Sequence, residues 1–269
     1  MFSEAEKYIK NRSADLVKWH LENINRDDYD IIFIIPCYAE NPTIIETIKS
    51  INIQVNIKDY NVLAIVVINN ESNPQLSTYY NNIETSFGIK KLRFSIDIGL
   101  IDCYTERNRI EDKKFGVGYV RKIGLDNAIL HSSRKTILCW LDADTTLEKT
   151  YINNLINCYN EKKCSSLITN FKHRKNDNLL VNESIVSYER VLKFMAMKLS
   201  QCGSIYKYIP LGPTITCLAT TYVHLGGLTP KKATEDFYFL QELCKYGNID
   251  FAEDIFVYPS SRVSQRVYL

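Results

Sequence analysis

The run Ile137-Leu138-Cys139-Trp140-Leu141-Asp142-Ala143-Asp144 decides the fold of this chain. An apolar stretch that reads as a buried strand stops at two carboxylates one residue apart. In an open α/β sheet the carboxyl ends of the strands bound the ligand crevice. If the chain turns there, Asp142 and Asp144 can reach one divalent cation and the sugar or phosphate beside it. Oxygen donors of this kind suit Mg or Mn. The same residues admit a structural reading. Thr145 followed by Glu148 fits a capping box for a helix through Tyr151, Leu155 and Ile156. The acids would then complement the positive start of that helix. The local sequence leaves both readings open.

Working outward, Ile31-Ile32-Phe33-Ile34-Ile35 is a continuous apolar run, as expected for a strand covered on both faces, and Pro36 ends it. Asn41, Pro42 and the pair Thr43/Glu46 start a helix with Ile44, Ile45, Ile48 and Ile51 on its buried face. A second strand, Val62 to Ile68, ends at Asn69-Asn70-Glu71-Ser72. The segment from Phe94 to Gly116 reads as irregular and charged. A helix with Val120, Ile123, Leu125, Ala128 and Ile129 follows, interrupted by Gly124. The strand Thr136 to Leu141 comes next. Such alternation is the signature of a parallel sheet with crossover helices.

The second half is less regular. Leu167 to Thr169 reads as a strand, and Glu183 to Leu199 as a long helix with Ile185, Tyr188, Val191, Leu192, Met195 and Leu199 toward the core. Gly212 to Ala219 suggests a strand after a turn. Thr234-Glu235-Asp236 opens a helix, Phe237 to Tyr246, which Gly247 closes. Phe251-Ala252 and Ile255 to Tyr258 suggest a last strand. Residues 1 to 29 read as polar and helical, with Ala5, Tyr8, Ile9, Leu16, Trp19 and Ile24 in a loose amphipathic pattern suited to docking on the main body.

The chain has 269 residues, 45% of them hydrophobic and 24% charged, which supports a sizeable soluble core. A net charge of +2 gives no reason to expect nucleic acid as a partner. No unbroken apolar window reaches the ~20 residues of a membrane span. The N-terminus, with Glu4, Glu6, Lys7 and Lys10, has no apolar secretory core. The expected location is cytoplasmic, extending to peripheral contact with the inner face of a membrane. The eight cysteines show no CxxC spacing and read as buried, reduced thiols. Cys37 reads as a lining residue, since no histidine stands near it in sequence.

Polar groups follow three more strand ends or turns, at Tyr38/Glu40, Asn70/Ser72 and Glu235/Asp236. In these segments the chain resembles the inverting nucleotide-sugar glycosyltransferases of family 2. The matching residues are Ile34-Ile35-Pro36-Cys37-Tyr38-Ala39-Glu40-Asn41-Pro42 and Gly116-Val117-Gly118-Tyr119-Val120-Arg121-Lys122-Ile123-Gly124-Leu125. Leu141-Asp142-Ala143-Asp144 is similar to the family's Asp-x-Asp metal motif. Leu225-Gly226-Gly227 followed by Thr234-Glu235-Asp236 is similar to its acceptor-side motif. The order holds over roughly residues 30 to 266.

The resemblance implies an α/β fold of GT-A type, with a Rossmann-like, mostly parallel central sheet, flanking helices and a small acceptor-side subregion. Residues 1–29 would be a helical extension. Residues 30–269 would form the GT-A domain, nucleotide-binding to about 145 and acceptor-side from about 146. It also implies roles. Tyr38 stacks on the donor base, with Pro36 and Glu40 shaping the pocket. Asp142 contacts the ribose or the metal, and Asp144 binds the Mn2+ or Mg2+ that bridges the diphosphate. Arg121 contacts the nucleotide. Arg262 and Arg266 suit the diphosphate because a guanidinium bonds two oxygens at once. Asp236 is the general base and Glu235 orients its neighbours.

Each role has a plainer alternative: a core aromatic for Tyr38, a solvated helix cation for Arg121, a solvated basic tail for Arg262 and Arg266, and helix-start charge for Glu235 and Asp236. One departure concerns the donor. The family commonly has an aspartate pair after the second strand, where this chain has Asn69-Asn70. The Asn70 carbonyl can accept the uracil imide N–H without charge, so a UDP-sugar fits, while guanine and thymine nucleotides stay open. The implied function is metal-dependent, inverting transfer from a nucleotide-sugar to a hydroxyl of a saccharide or lipid-linked acceptor in surface glycan or polysaccharide synthesis. A nucleotidyltransferase would show a glycine-rich loop after the first strand, and Pro36 to Pro42 has no glycine. A non-catalytic nucleotide-sugar-binding protein is the other alternative.

Overall fold

The computed structural model describes residues 1–262 except Asn23, Asn25, Asp112, Phe115 and Lys232. Its strands are β1 (Tyr29–Cys37), β2 (Val62–Asn69), β3 (Asp97–Cys103), β4 (Ser132–Trp140), β5 (Thr146–Leu147), β6 (Ser166–Phe171), β7 (Ile215–Leu218) and β8 (Ile249–Tyr258). They form one sheet in the order β3-β2-β1-β4-β7-β6-β8-β5. The first four are mutually parallel, β6 runs parallel to β8, and β7 and β5 pair antiparallel. This is the mostly parallel α/β sheet expected.

Side chains of a strand alternate between its two faces, and β1 shows what that does here. Ile32 and Ile34 join one core with α4 (Val117–Leu130). Ile31, Phe33 and Ile35 join the other with α2 (Thr43–Asn52). A strand buried on both sides has no polar face, which is why its sequence is a continuous apolar run. Gly124 interrupts no helix. A Cβ there would lie 2.6 Å from Ile34 Cγ2, so the missing side chain lets α4 press onto β1. Gly124→Ala is expected to destabilise the protein by about 1–3 kcal/mol through overpacking, read as a lower denaturant midpoint at unchanged m-value.

Several expectations are corrected. The segment after Phe94 contains β3, an edge strand bounded by Asp97 and Asp102 and interrupted by Gly99. Its apolar signal is short, and Leu21 packs directly over Gly99. The N-terminal helix α1 spans only Ser3–Arg12; turns and irregular chain follow. It docks through Ala5 and Tyr8, whose hydroxyl donates to Asp126 at 2.6 Å and accepts from Lys122 at 2.9 Å. Gly227, at φ +78°, lies beneath that ring, where a Cβ would fall 1.9 Å from the hydroxyl. The glycine pair Gly226-Gly227 therefore lets α1 seat closely.

The capping box at Thr145 does not form. Helix α5 (Tyr151–Lys162) starts later, β5 intervenes, and the Glu148 carboxylate accepts from Phe256 N–H instead. Residues Gly212–Thr214 make a 3-10 turn before β7, and α7 (Ala219–His224) follows it. The long helix α6 (Leu179–Gln201) has no fully buried residue. Ile185 and Leu192 are only partly covered, and the expected core residues Tyr188, Val191, Met195 and Leu199 are exposed. All eight cysteines are free thiols; Cys202 is exposed, Cys158 partly so, and the others are buried. No helix among the described residues is long and apolar enough to cross a membrane.

Candidate active site

Because β1, β2 and β4 are parallel, their carboxyl ends lie on one sheet edge. Tyr38 and Glu40, Asn70 and Ser72, and Asp142 and Asp144 all follow those ends. The chain does turn after β4, where the Thr145 N–H donates to the Asp142 carbonyl at 3.0 Å. The loop is held from both sides. The Thr47 hydroxyl of α2 donates to the Ala143 carbonyl at 2.9 Å, and Arg174 donates to the Asp144 carbonyl at 2.9 Å. Burial and the neighbouring Asp142 charge raise the Asp144 carboxyl above the usual carboxylate range, partly offset by Arg262.

Arg262 reaches this cluster from the end of the described chain. It donates to Asp144 at 3.0 Å and pairs with the buried carboxylate of Glu40. A cation thus already sits between these acids. Arg266 lies outside the described residues.

Arg121 is not the solvated helix cation of its plainer reading. Its side chain is 2% exposed and contacts protein carboxylates. Nη2 donates to Asp142 at 2.9 Å and Nε to the buried Glu235 at 3.3 Å. The guanidinium also lies over the Trp140 ring, 4.8 Å from its centroid. Arg121 is therefore a strut joining Asp142 after β4 to helix α8 (Glu235–Tyr246). Asp142 and Glu235 raise its already high pKa against the effect of burial.

Helix α8 is seated by Phe239, which stacks on Trp140 at 4.9 Å. Thr234 does not cap it. This β-branched residue sits at φ +63° and its hydroxyl turns back to the Ala233 carbonyl. A left-handed conformation is unfavourable for such a side chain, and it aims the first turn of α8 toward the sheet edge. Asp236 accepts from its neighbour Phe237 N–H at 2.8 Å. Burial raises its carboxyl above the usual range, against the Phe237 N–H and Arg121. Burial raises Glu235 as well, with Arg121 opposing. Asp142 at the sheet edge is thus tied through Arg121 to Glu235, and Asp236 follows Glu235 in the first turn of α8.

At the end of β1, Pro36 and Tyr38 are partly covered and Glu40 is buried. Asn70 is buried, and its Oδ1 has no hydrogen-bond partner among the described residues. A buried acceptor left unpaired is costly, and a ligand N–H would satisfy it. Asn69 is structural: its amide donates to the Cys37 and Val67 carbonyls.

A family sequence model described as glycosyl transferase family 2 matches residues 32–210. The chain belongs to glycosyl transferase family 2. The matched span contains Tyr38, Asn70, Arg121, Asp142 and Asp144, while Asp236 and Arg262 lie beyond it. No curated protein sequence matches the chain. Among solved structures, residues 1–349 of S. aureus TarS in complex with UDP-GlcNAc are similar at a TM-score of 0.61 and 16% identity. That match covers 89% of this chain and 62% of the TarS chain. The same TarS segment with UDP aligns at a TM-score of 0.56 and 14% identity, covering 86% and 60%. A longer TarS chain aligns at 0.55 and 15%, covering 86% and 36%. This family 2 chain thus spans about three-fifths of the shorter TarS chains it matches, and the likeness is one of GT-A fold.

Sequence reasoning missed the supports of the family 2 site. Helix α3 (Leu76–Lys91) clamps the β1 and β2 loops. Asn82 accepts from Ala39 N–H and donates to the Asn69 carbonyl, and Asn81 exchanges two bonds with Asn41. The buried face of α3 is Asn82, Thr85 and Ile89, so no apolar periodicity announces it. Ala39 is held there at φ +52°. Arg174 and the His173–Glu189 pair, 2.9 Å apart, were also missed. Their only signal was a basic run after an apolar triplet.

Proposed function

We propose that this chain transfers a sugar, with inversion, from a nucleoside diphosphate donor to a hydroxyl acceptor, using Mn2+ or Mg2+, in surface glycan or polysaccharide synthesis. The observation that carries the reading is the linked set Asp142–Arg121–Glu235, which puts the β4 acids and the first turn of α8, with Asp236, in one rigid frame. The family, and the UDP-GlcNAc and UDP named for the TarS complexes, support a nucleotide-sugar donor.

The metal fits the residues present. Among the described residues no group of three His, Cys, Asp or Glu is placed to hold an ion. Mg2+-type sites commonly use one or two carboxylates and fill the rest with substrate phosphates and water. Asp142 and Asp144 would hold it, and the Arg262 guanidinium on Asp144 is consistent with a position that favours positive charge. When bound, the ion would offset charge developing on the departing diphosphate.

The protein's own groups do the rest. Asn70 Oδ1 accepts an N–H from the base, which favours uracil, and Tyr38 and Pro36 cover the ring. Arg262 leaves the acids for the diphosphate. Asp236 takes the proton from the attacking hydroxyl on the face opposite the leaving group. Position matters more than bulk basicity, because the hydroxyl becomes acidic only as the new bond forms. Glu235 and Arg121 keep that geometry. The acceptor is a saccharide or lipid-linked sugar, met on the cytoplasmic side.

UDP with Mn2+ is expected to raise the melting temperature, and Asp144→Asn to remove the Mn2+-dependent part of that shift. No shift from either UDP or GDP with metal would sink the nucleotide reading. A wild-type shift in Asp144→Asn would place the metal elsewhere.

A further inference from the structure

Helix α6 is the least explained element of the fold. Of the residues expected on its core side, Tyr188 is 47% exposed, Val191 60% and Met195 55%; Phe194 beside them is 52% exposed. A cavity of about 830 Å³ separates the carboxyl half of the helix from β6 and β8. Helices in folded proteins draw most of their stability from a buried apolar face. Here one apolar stripe is half-covered and the adjacent one is bare. Contiguous exposed apolar surface of this kind marks an interaction site.

The charge pattern says what kind. From Arg190 onward, α6 and the loop after it carry Arg190, Lys193, Lys198 and Lys207 and no acid, while Glu183 and Glu189 lie nearer the start of the helix, in a chain whose net charge is only +2. Lys198 lies over the Phe194 ring, Lys193 over Phe171 and Lys207 over Tyr208. Such side chains lay their stems on apolar surface and keep their charge at a polar boundary. A helix with basic and exposed apolar residues interleaved fits the headgroup region of an anionic bilayer.

We propose that α6 seats the protein on an anionic membrane surface, its Tyr188–Val191–Met195–Leu199 stripe in the interface and Arg190, Lys198 and Lys207 toward the lipid phosphates. It rests on the transferase reading and deepens it. Tyr188 packs edge-on against His173 with ring centroids 6.2 Å apart, and the adjacent Arg174 donates to the Asp144 carbonyl at 2.9 Å. The bilayer would then lie beside the loop that carries Asp144, and the acceptor class is a sugar carried on a lipid.

The test is flotation of the full chain with vesicles of phosphatidylcholine alone and of equal parts phosphatidylcholine and phosphatidylglycerol. Wild type is expected to float with the anionic vesicles and not the neutral ones, and to be released by salt. The double variant V191E/M195E is expected to lose at least tenfold of the bound fraction, with its thermal shift by UDP and Mn2+ unchanged. Val17→Glu, at a fully exposed site elsewhere, is expected to bind as wild type. Wild type that floats with neither vesicle, or V191E/M195E that floats like wild type, overturns the proposal. So does a wild-type dimer in light scattering that V191E/M195E makes monomeric, because the face would then meet a second copy. Loss of the UDP response with vesicle binding intact would overturn the donor reading and leave the membrane face standing.

Discussion

Asp236→Asn is expected to lower sugar transfer by about 10²–10⁴-fold, the range for removing a positioned general base, while donor affinity stays near wild type. The substitution is conservative in shape. The bond from Phe237 N–H to Asp236 can pass to the amide oxygen, so the first turn of α8 should hold. What is lost is proton affinity. Burial places the Asp236 carboxyl above its ordinary value. The acid limb of kcat/KM should therefore lie above the ordinary aspartate pKa of about 3.9. Activity is lost as pH falls through that limb, because the base must be unprotonated. The residual activity of the variant should not show the limb. The stability sign is opposite. A carboxyl with a raised folded-state pKa adds most stability when protonated and loses it as pH rises. Asp236→Asn should melt no lower than wild type at neutral pH. Full transfer by this variant, at any melting temperature, would put the base elsewhere.

Arg121→Met is expected to destabilise the fold by about 3–5 kcal/mol, the usual cost of removing one member of a buried ion pair. Its partner Glu235 is 4% exposed, and no solvent would replace the lost guanidinium. The second variant separates charge from packing. Adding Glu235→Gln removes the stranded charge, so Arg121→Met/Glu235→Gln should recover part of the loss in chemical denaturation. Arg121→Lys should fall between, because an ammonium lacks the fork that reaches Asp142 and Glu235 together. A wild-type midpoint for Arg121→Met would show that α8 does not depend on this strut. Transfer should fall more than donor binding in all three variants, since the strut acts on the frame that holds Asp236.

Legibility followed the physics of burial. β1, β2 and β4 are covered on both faces, and their apolar runs end where polar loops begin, so strands and sheet edge could be read together. β3 lies at the sheet edge beside β2, with a glycine under Leu21, and its signal fell below that of a loop. α3 was silent because its inner face is hydrogen-bonded amide and hydroxyl rather than hydrocarbon. α6 misled in the other direction. Its periodicity was genuine, but the face it marked points outward, and an apolar period cannot tell a protein core from another apolar surface.

The sequence by itself determined the α/β class, the central parallel strands and the polar groups at their ends. These follow from side-chain period and local turn chemistry, which act over a few residues. Only the tertiary structure decided which of those groups meet. Arg121, Asp142 and Glu235 come from three distant segments, and their pairing arises from the close seat of α4 on the sheet and from Phe239 stacked on Trp140. Charge complementarity in a low-dielectric interior depends on distances of a few ångströms, and no pattern along one chain carries them. The run from Ile137 to Asp144 marks the edge; the fold makes it a site.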